Sequence, residues 1–443
     1  MKYLKIILIL CISFVFTSES SAQEKLTLSN AITIALNHNT SVIKSVNNLE
    51  TSNASLKNAY GSLLPTMNLN GGWNWQKVTS KGSTVLDYFG NPQSFGATET
   101  DSRSYNLSLG GNVTLFDGLS NISTINQRKN DLQAAKYDLE KLRQDVILQT
   151  INLFITILNN EKVLKFQEED QKYNEDMLKK VKEMYDLKMK ANADLYAQEY
   201  QTSNSKLSYL QAKSNYEKSK IALLNYLSLD VLKEYTFEMD SSYMPESVKN
   251  GDNIDILVQS ALSNRNDYQS AKLRSLSSEY QLTIARSGLL PSLSGNYSFS
   301  TSATKPSDLF SRKVYGVGLS LSVPIFSRWS TELSIQTAIA SNKNTTEDLS
   351  ALERQIKSDV KNAVLDLQTA KLQLDVTKVA LKSAKETWEI KRDSYSLGTA
   401  TFIDQQQSYR DYVQSMNNNI ASESNYLYRQ FGLLSAIGMI KSE

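Results

Sequence analysis

The sequence predicts a mainly α-helical chain with membrane β-strands, built from two structural repeats of long α-helical hairpins with four β-strands in total. Three observations support this fold class. The stretch from Leu119 to Tyr185 contains neither glycine nor proline, and its apolar residues recur at steps of three and four, as in a helix. The chain matches itself at several motifs, which indicates an internal duplication. Four short segments alternate between apolar and polar residues, as half-buried strands do.

Residues 1–22 have the layout of a cleavable secretory signal peptide. Two lysines precede an apolar run that is followed by small residues: Lys2 and Lys5, then Ile6 to Phe16, then Ser20-Ser21-Ala22. The single cysteine, Cys11, lies inside the apolar run, where lipidation would need a small residue before it. We therefore expect cleavage after Ala22 rather than a lipid anchor. The mature chain would then contain no cysteine, and hence neither disulfides nor thiol chemistry.

The duplication sets the predicted domain boundaries. A Leu-Leu-Pro motif and a later tyrosine and aspartate occur in both halves: Leu63-Leu64-Pro65 with Leu289-Leu290-Pro291, and Tyr185 and Asp194 with Tyr395 and Asp404. The first repeat is predicted at 23–228 and the second at 253–443, with a linker at 229–252 that wraps the helices near mid-height. Relative to the second repeat, the first has an insertion between Pro65 and Val113. An insertion at that place alone indicates a tolerant loop.

Each repeat is predicted to contain one very long helix that turns back into a helix of about half its length. The long helices are expected at 119–185 and 328–395, and their tips at 186–193 and 396–403. At about 1.5 Å per residue, each long helix would extend roughly 100 Å. Ordinary helices have about 8 to 20 residues, so the length predicts that the chain spans an unusual distance.

The four alternating segments are predicted as membrane strands at about 66–76, 103–116, 292–300 and 314–326. Their length of about ten residues suits a strand that crosses a bilayer, and their polar positions are small and uncharged. Tryptophans lie in or beside them, as an interfacial girdle requires: Trp73, Trp75 and Trp329. Alternation alone also allows a half-buried sheet that packs on the helices.

Four strands cannot close into a barrel, and an open sheet edge in hydrocarbon leaves backbone groups without partners. Several chains must therefore contribute strands to one sheet. Eight strands from two chains would have an interior filled by side chains, whereas twelve strands from three chains leave a lumen. We therefore expect a trimer.

Two motifs resemble those of the TolC-like outer-membrane efflux proteins, and the resemblance covers essentially the whole chain after the leader. Tyr395-Ser-Leu-Gly398-Thr-Ala-Thr-Phe-Ile-Asp404 is similar to the family's tyrosine, glycine and aspartate pattern at the tip of the second helical hairpin. The first turn departs from that pattern, with Lys188 in place of glycine. Ala35-Leu36 with Asn39-Thr40 resembles the family's early Ala-Leu and Asn-Pro signature, with threonine in place of proline.

The resemblance implies a trimeric duct with a 12-stranded β-barrel in the outer membrane of a Gram-negative bacterium, continuous with a periplasmic α-helical barrel. It implies two partners, a periplasmic adaptor (membrane fusion protein) that docks on the helical tips and an inner-membrane pump. Docking is expected at Leu187, Lys188, Leu397, Gly398 and Thr399. Pore constriction and gating are expected at Asp404, Asp194 and Tyr395. Neither a catalytic residue, a cofactor nor a bound metal is implied.

The constriction residues each have a second interpretation. Asp194 and Tyr395 are either hydrogen-bonded to each other between neighbouring helices, or a helix cap and a packing residue. Three copies of Asp404 would form a carboxylate ring that attracts cations, while Thr401 and Asp404 also fit a capping box. The family's second acidic position is Gln407 here, and its arginine is Ala400. The resemblance therefore implies a single acidic ring.

Other classes of function explain only part of the sequence pattern. A structural coiled-coil tether would explain the long helices but not the strands, and an uptake porin would explain the strands but not the helices. A channel dedicated to metal or protein (type I) secretion stays open, with Met177, Met184 and Met189 as either metal contacts or members of a core stripe. A net charge of +2 argues against nucleic-acid binding. The absence of a Gly-rich phosphate loop argues against an enzyme.

Overall fold

The computed structural model describes residues 24–240 and 253–440. The expected signal peptide at 1–22 and the second half of the expected linker, 241–252, lie outside the described residues. The chain divides into two compact units. The helical unit comprises 24–47, 137–240, 253–269 and 351–440, and the strand unit comprises 48–136 and 270–350. In the described part of the chain, no helix combines the length and the apolar character needed to cross a membrane.

The described residues form helices α1 (Leu28–His38), α2 (Thr40–Gly61), α3 (Ser120–Asp186), α4 (Asn192–Tyr226), α5 (Ile254–Asn264), α6 (Asn266–Ser287), α7 (Ser330–Ser396) and α8 (Phe402–Ala436). The long helices α3 and α7 have 67 residues each, and their return helices α4 and α8 have 35 each. Both long helices begin slightly later than expected, because Leu119, Arg328 and Trp329 have positive φ angles of 72°, 51° and 62°. A right-handed helix does not contain this left-handed conformation.

The strands are β1 (Glu24–Thr27), β2 (Asn68–Ser80), β3 (Ser83–Leu86), β4 (Pro92–Phe95), β5 (Thr98–Phe116), β6 (Tyr235–Glu238), β7 (Ser292–Ala303) and β8 (Lys313–Ser322). Four of them form one antiparallel sheet in the order β2-β5-β7-β8. Strands β2 and β8 are therefore the two edges of this sheet. Strand β8 ends at Ser322 rather than at the expected residue 326, since Pro324 has no N–H group for the ladder.

The first strand pair extends beyond the four-stranded part of the sheet. Strand β2 pairs with β5 as far as Ser80 and Thr98, whereas β7 first meets β5 at Tyr105. Residues 74–80 and 98–104 therefore form a two-stranded arm, which ends in the β3–β4 hairpin. The expected strands at 66–76 and 103–116 omit most of this arm because charged residues interrupt the apolar alternation there. Lys77 and Glu99 form an ion pair across it. The insertion in the first repeat is this arm and its hairpin.

The core of the helical unit lies along α3. Its large, fully buried side chains include Ile147, Ile151, Phe154, Leu223, Leu433 and Ile437. Strand β6 pairs in parallel with β1, and the ring centroids of Phe237 on β6 and Phe154 on α3 lie 6.0 Å apart. The first half of the expected linker thus contains a strand against the middle of α3. A four-residue strand whose partner is 211 positions away, from Glu24 to Tyr235, leaves no local periodicity from which it could be predicted.

Gly438 holds the chain in a tight turn after α8. Its φ angle is +72°, and a Cβ atom there would lie 2.9 Å from the backbone nitrogen of Arg265. We expect Gly438→Val to lower the free energy of unfolding by about 1 to 3 kcal/mol, because it forces both a strained backbone and a close contact. Thermal unfolding of the purified protein measures this loss. Gly432→Ala is the matched control, since nothing lies within 4 Å of its Cβ position and alanine favours the helix. Equal melting temperatures in the two variants would contradict the expectation.

Candidate functional site

The two helical hairpins end in turns with the same backbone geometry. After α3, Lys188 N donates to Tyr185 O (2.8 Å) and Met189 N to Met184 O (2.8 Å). After α7, Gly398 N donates to Tyr395 O (3.1 Å) and Thr399 N to Ser394 O (2.9 Å). This pair of bonds is the Schellman motif, which needs a left-handed residue directly after the helix. Lys188 and Gly398 occupy that position, with φ angles of 60° and 76°.

Both turns expose apolar side chains. Leu187 is 71% exposed and Leu397 is 79% exposed, and the neighbouring Met189 and Ile403 are also exposed. Lys188, Gly398 and Thr399 are likewise exposed, so all five residues expected to dock an adaptor are accessible within the chain. Exposed leucine, isoleucine and methionine side chains at the end of a helical hairpin form a surface that a partner can cover.

Beneath the turns, the two hairpins pack against each other through a small apolar cluster. Val181, Leu195 and Phe402 are its buried members, and Met177, Leu178, Tyr185 and Tyr395 pack on it. Val181 comes from α3, Leu195 from α4 and Phe402 from α8. Met177 is therefore partly buried against this cluster, whereas Met184 and Met189 are exposed.

Tyr395 and Asp194 lie close to this cluster but do not bond to each other within the chain. The hydroxyl of Tyr395 is buried and has no hydrogen-bond partner among the described residues. Lys190 is near both side chains, with its Nζ 4.6 Å from the centre of the Tyr395 ring and 3.9 Å from Asp194 Oδ2.

Asp404 forms a complete capping box at the start of α8. Its backbone N–H donates to Thr401 Oγ1 (3.2 Å), and its Oδ2 accepts from the backbone N–H (3.2 Å) and the hydroxyl (2.8 Å) of Thr401. The hydrogen bond from the Thr401 hydroxyl, with that from the Thr401 backbone, lowers the pKa of Asp404. The side chain is exposed. Asp404 therefore caps the helix and still presents a charged carboxylate to solvent.

Aromatic side chains lie at both ends of the four-stranded sheet. Trp73 on β2 is paired with Tyr105 on β5, where the four-stranded part ends and the arm begins. Trp75, on the arm, donates from Nε1 to Asp101 Oδ1 (2.6 Å). At the other end, Trp329 packs edge-to-face on Phe326 with ring centroids 6.2 Å apart. All three tryptophans are exposed, which is the arrangement that a lipid interface favours.

The sequence model of the family described as "Outer membrane efflux protein" matches the chain over residues 31–228 and 257–439. The chain belongs to the outer-membrane efflux protein family. The expected resemblance to TolC-like efflux proteins is thereby confirmed, and the chain is an outer-membrane efflux channel rather than a coiled-coil tether. No significant match is found among curated protein sequences.

Solved structures of outer-membrane channels share the fold of this efflux protein. The outer membrane protein VceC from Vibrio cholerae has a TM-score of 0.78 at 14% identity, covering 93% of this chain and 96% of its own. The CmeC outer membrane channel of Campylobacter jejuni has a TM-score of 0.79 at 18% identity, covering 93% and 85%. The open state of the MtrE outer membrane channel of Neisseria gonorrhoeae has a TM-score of 0.74 at 17% identity, covering 93% and 88%. The predicted fold class, long helical hairpins with four sheet strands, is confirmed.

A further group of side chains in this efflux protein was missed by sequence reasoning. We call it the Asp170 layer: Asp170, Tyr173 and Asn174 on α3, Gln198 on α4, and Gln405 and Tyr409 on α8. The two tyrosine rings lie 4.3 Å apart, and Trp388 of α7 contacts both of them. The sequence does contain an indication of this layer, since the polar residues Asp170 and Asn174 fall at helical spacing among apolar core residues. Their partners on the other helices, however, come from more than 20 residues away in sequence.

Proposed function

We propose that three copies of this chain form one continuous, passive export duct across the outer membrane and periplasm. The observation that carries the proposal is the open sheet, in which β2 and β8 each have one unpaired edge. Its strands have 10 to 19 residues, enough to cross a bilayer. Unpaired backbone groups are not tolerated in hydrocarbon. Pairing β8 of each copy with β2 of the next closes a barrel of twelve strands and leaves no edge.

The helical unit supports the same assembly. Side-chain hydrogen bonds connect α3 with α4 through Asn174 and Gln198, and α3 with α8 through Asp170 and Tyr409. An ion pair between Asp366 and Arg429 connects α7 with α8. Helices α4 and α7 both carry exposed apolar residues along their length: Tyr196, Tyr200, Leu207, Leu210 and Ile221 on α4, and Leu365, Leu372, Val376, Val379 and Ile390 on α7. Packing α4 of one copy on α7 of the next removes both apolar surfaces from water.

A cysteine pair tests this seam. Leu210 and Val379 each lie about 26 Å from the nearest hairpin turn at 1.5 Å per residue, so copies related by rotation about one axis bring them to the same height. We expect Leu210→Cys with Val379→Cys to give covalent trimers on mild oxidation. Electrophoresis without reductant measures the product.

The control pair is Tyr200→Cys with Leu365→Cys. These positions are also exposed, but their heights differ by about 35 Å, so no cross-link is expected. Cross-linking of both pairs, or of neither, would contradict the packing of α4 on α7. A monomer or dimer as the sole stable species of the extracted protein would contradict the trimer.

We further propose that the exposed turns are the docking surface for a periplasmic adaptor, which connects the duct to an inner-membrane pump. Leu187 and Leu397 supply apolar contact area, and Lys188 and Thr399 surround it. The two turns have matching backbone geometry, so three copies would offer six similar docking positions. The rest of the helical unit would then lie in the periplasm of a Gram-negative cell, with the tryptophan-bearing strand unit in the outer membrane.

Asp404 is proposed to line the entrance as a ring of three carboxylates. Asp404→Asn is expected to lower the preference of the channel for cations and to weaken block by multivalent cations, because like charges in a constriction concentrate counterions. Reversal potentials in planar bilayers under a salt gradient measure the change. Asparagine still caps helices, so α8 should keep its start. A selectivity identical to that of the parent channel would leave Asp404 as a capping residue only.

The cargo is proposed to be chosen by the pump, since the residues described at the two turns are mostly exposed rather than arranged in a buried binding site. Within the described residues, no group of three or more His, Cys, Asp or Glu side chains could hold a metal ion. Met177 belongs to the apolar cluster beneath the turns, which leaves Met184 and Met189 as exposed candidates in a metal-export variant of the function. Replacing both methionines with leucine would lower export of a soft metal only if the channel exports metal.

A further inference from the structure

Asp170 is a buried carboxylate without a cation. Its side chain is 5% exposed, and its Oδ1 accepts hydrogen bonds from Tyr409 Oη (2.6 Å) and Asn174 Nδ2 (3.0 Å). Among the described residues, no lysine, arginine or histidine acts on it. An ionised carboxylate loses its hydration here without gaining an opposite charge. Burial therefore raises the pKa of Asp170, although the hydrogen bonds from Tyr409 and Asn174 act in the opposite direction.

The groups around Asp170 do not neutralise it. Helix α3 contributes Tyr173 and, further out, Glu169; α8 contributes Tyr409 and Tyr412; α7 contributes Arg392 and Glu389; and α4 contributes the neutral Gln198 and Thr202. Arg392 acts on Tyr173 rather than on Asp170, and its guanidinium lies over the Trp388 ring at 5.3 Å. The titration of the layer is therefore set by the single carboxyl group of Asp170.

The Asp170 layer also joins the two hairpins. Gln405 Nε2 of α8 donates to Tyr173 Oη of α3 (2.7 Å), and Gln406 Nε2 of α8 donates to Gln198 Oε1 of α4. The other amide atom of Gln405, Oε1, is buried and has no hydrogen-bond partner among the described residues. An incompletely paired polar layer costs free energy to keep closed and gains hydrogen bonds when water enters. This layer is therefore a place where the contact between α3 and α8 can loosen.

We propose that Asp170 is a positioning residue of the channel, whose protonated carboxyl keeps the layer between α3 and α8 closed and whose ionised carboxylate opens it to water. Opening the layer frees the two hairpins to separate at their tips. Separation of the tips would in turn change passage through the duct. Only this effect on passage rests on the proposed function. The proton released by Asp170 goes to the entering water.

The direction of the pH dependence follows from linkage. In the closed layer the pKa of Asp170 is raised, whereas in a hydrated layer it returns to the ordinary aspartate value of about 3.9. The closed layer thus binds the proton more tightly. The closed layer is most populated at low pH, and its population falls as the pH rises from about 3.9 to the raised pKa of Asp170. Within that window, each pH unit changes the ratio of closed to open layers by up to about tenfold per chain.

Trp388 provides a local reporter, since its ring contacts Tyr173 and Tyr409 in the layer. In the full protein carrying Trp73→Phe, Trp75→Phe and Trp329→Phe, Trp388 is the remaining tryptophan. Acrylamide quenching of its fluorescence is measured from about pH 4 upward, on the purified oligomer in detergent. We expect quenching to increase with pH along a titration curve in the parent background.

Three variants separate this mechanism from a merely structural role. Asp170→Asn keeps an acceptor for Tyr409 but cannot ionise, so its quenching should stay low at every pH. Tyr409→Phe removes a hydrogen bond between α8 and Asp170 that belongs to the closed layer, so the closed layer is weakened and its midpoint should move to lower pH. Asp176→Asn, an exposed position on the same helix, should behave like the parent. A flat parent curve, or an Asp170→Asn curve that still titrates, overturns the proposal.

Conductance of the same variants in planar bilayers tests the last step. The parent channel should pass more current as pH rises, with the midpoint found by quenching, and Asp170→Asn should stay at the low-pH level. If the quenching of Trp388 depends on pH but the conductance does not, the role of Asp170 in positioning the tips is overturned. If the quenching of Trp388 changes with pH in a protein that forms no channel at any pH, the opening of the layer is supported and the proposed duct is overturned.

Discussion

Leu319→Arg is expected to abolish assembly of the channel in the outer membrane. Leu319 lies near the middle of β8, on the face that also carries Tyr315, Val317 and Leu321, and all four side chains are exposed. If this face contacts lipid, an arginine near the bilayer midplane costs about 2 to 4 kcal/mol in each copy. Three copies multiply that cost, which should prevent insertion. The amount of heat-resistant oligomer in the outer-membrane fraction measures the effect.

Ser320→Arg is the matched control for this prediction. It places the same side chain one residue further along β8, on the opposite face of the sheet. That face would line the lumen of a closed barrel, where water can solvate the guanidinium. We expect Ser320→Arg to assemble and to change only the conductance. Equal assembly of both variants would mean that the apolar face of β8 does not contact lipid.

Gly398→Val is expected to abolish export while assembly of the oligomer continues. Gly398 has a φ angle of +76°, and nothing lies within 4 Å of its Cβ position. A valine there meets no clash inside the chain, but a β-branched residue strongly disfavours a positive φ. The turn after α7 must therefore change shape or store strain of about 1 to 3 kcal/mol. We expect the change of shape, which displaces Leu397 and Thr399 from the proposed docking surface. Complementation of a strain lacking the chromosomal copy measures export.

Gly398→Asn separates the geometry of the turn from the added bulk. Asparagine tolerates the left-handed conformation, and Lys188 already adopts it at the equivalent position of the first turn. Normal export by the asparagine variant and none by the valine variant would assign the effect to backbone geometry. Export by the valine variant at the parent level, from assembled oligomers, would contradict docking at this turn.

The helices and the repeat could be predicted from the sequence because their causes are local. The absence of glycine and proline between Leu119 and Tyr185 leaves a helix as the regular structure compatible with the apolar spacing. Thr401 and Asp404 likewise predict a capping box by spacing alone, and the structure contains it. The alternation in β8 depends on neighbouring residues in the same strand, so its apolar face was also predictable.

The features that escaped prediction depend on residues far apart in sequence. Strand β6 exists because β1 lies beside it, and no pattern within Tyr235–Glu238 indicates this. The arm continues past the apolar alternation because β2 and β5 stay paired through polar side chains. Each of these outcomes depends on contacts between residues far apart in the sequence. The spacing of residue types along the chain does not predict such contacts.

The arm has a consequence for the symmetry of the assembled mouth. Two similar repeats in each of three chains would give the strand unit an approximate six-fold arrangement. Only the first repeat carries the arm and the β3–β4 hairpin, while the second joins β7 to β8 through the short connection 304–312. Long and short connections would therefore alternate round the rim. An external ligand that binds this rim would meet a surface with three-fold symmetry. It would therefore bind as one or three copies rather than six.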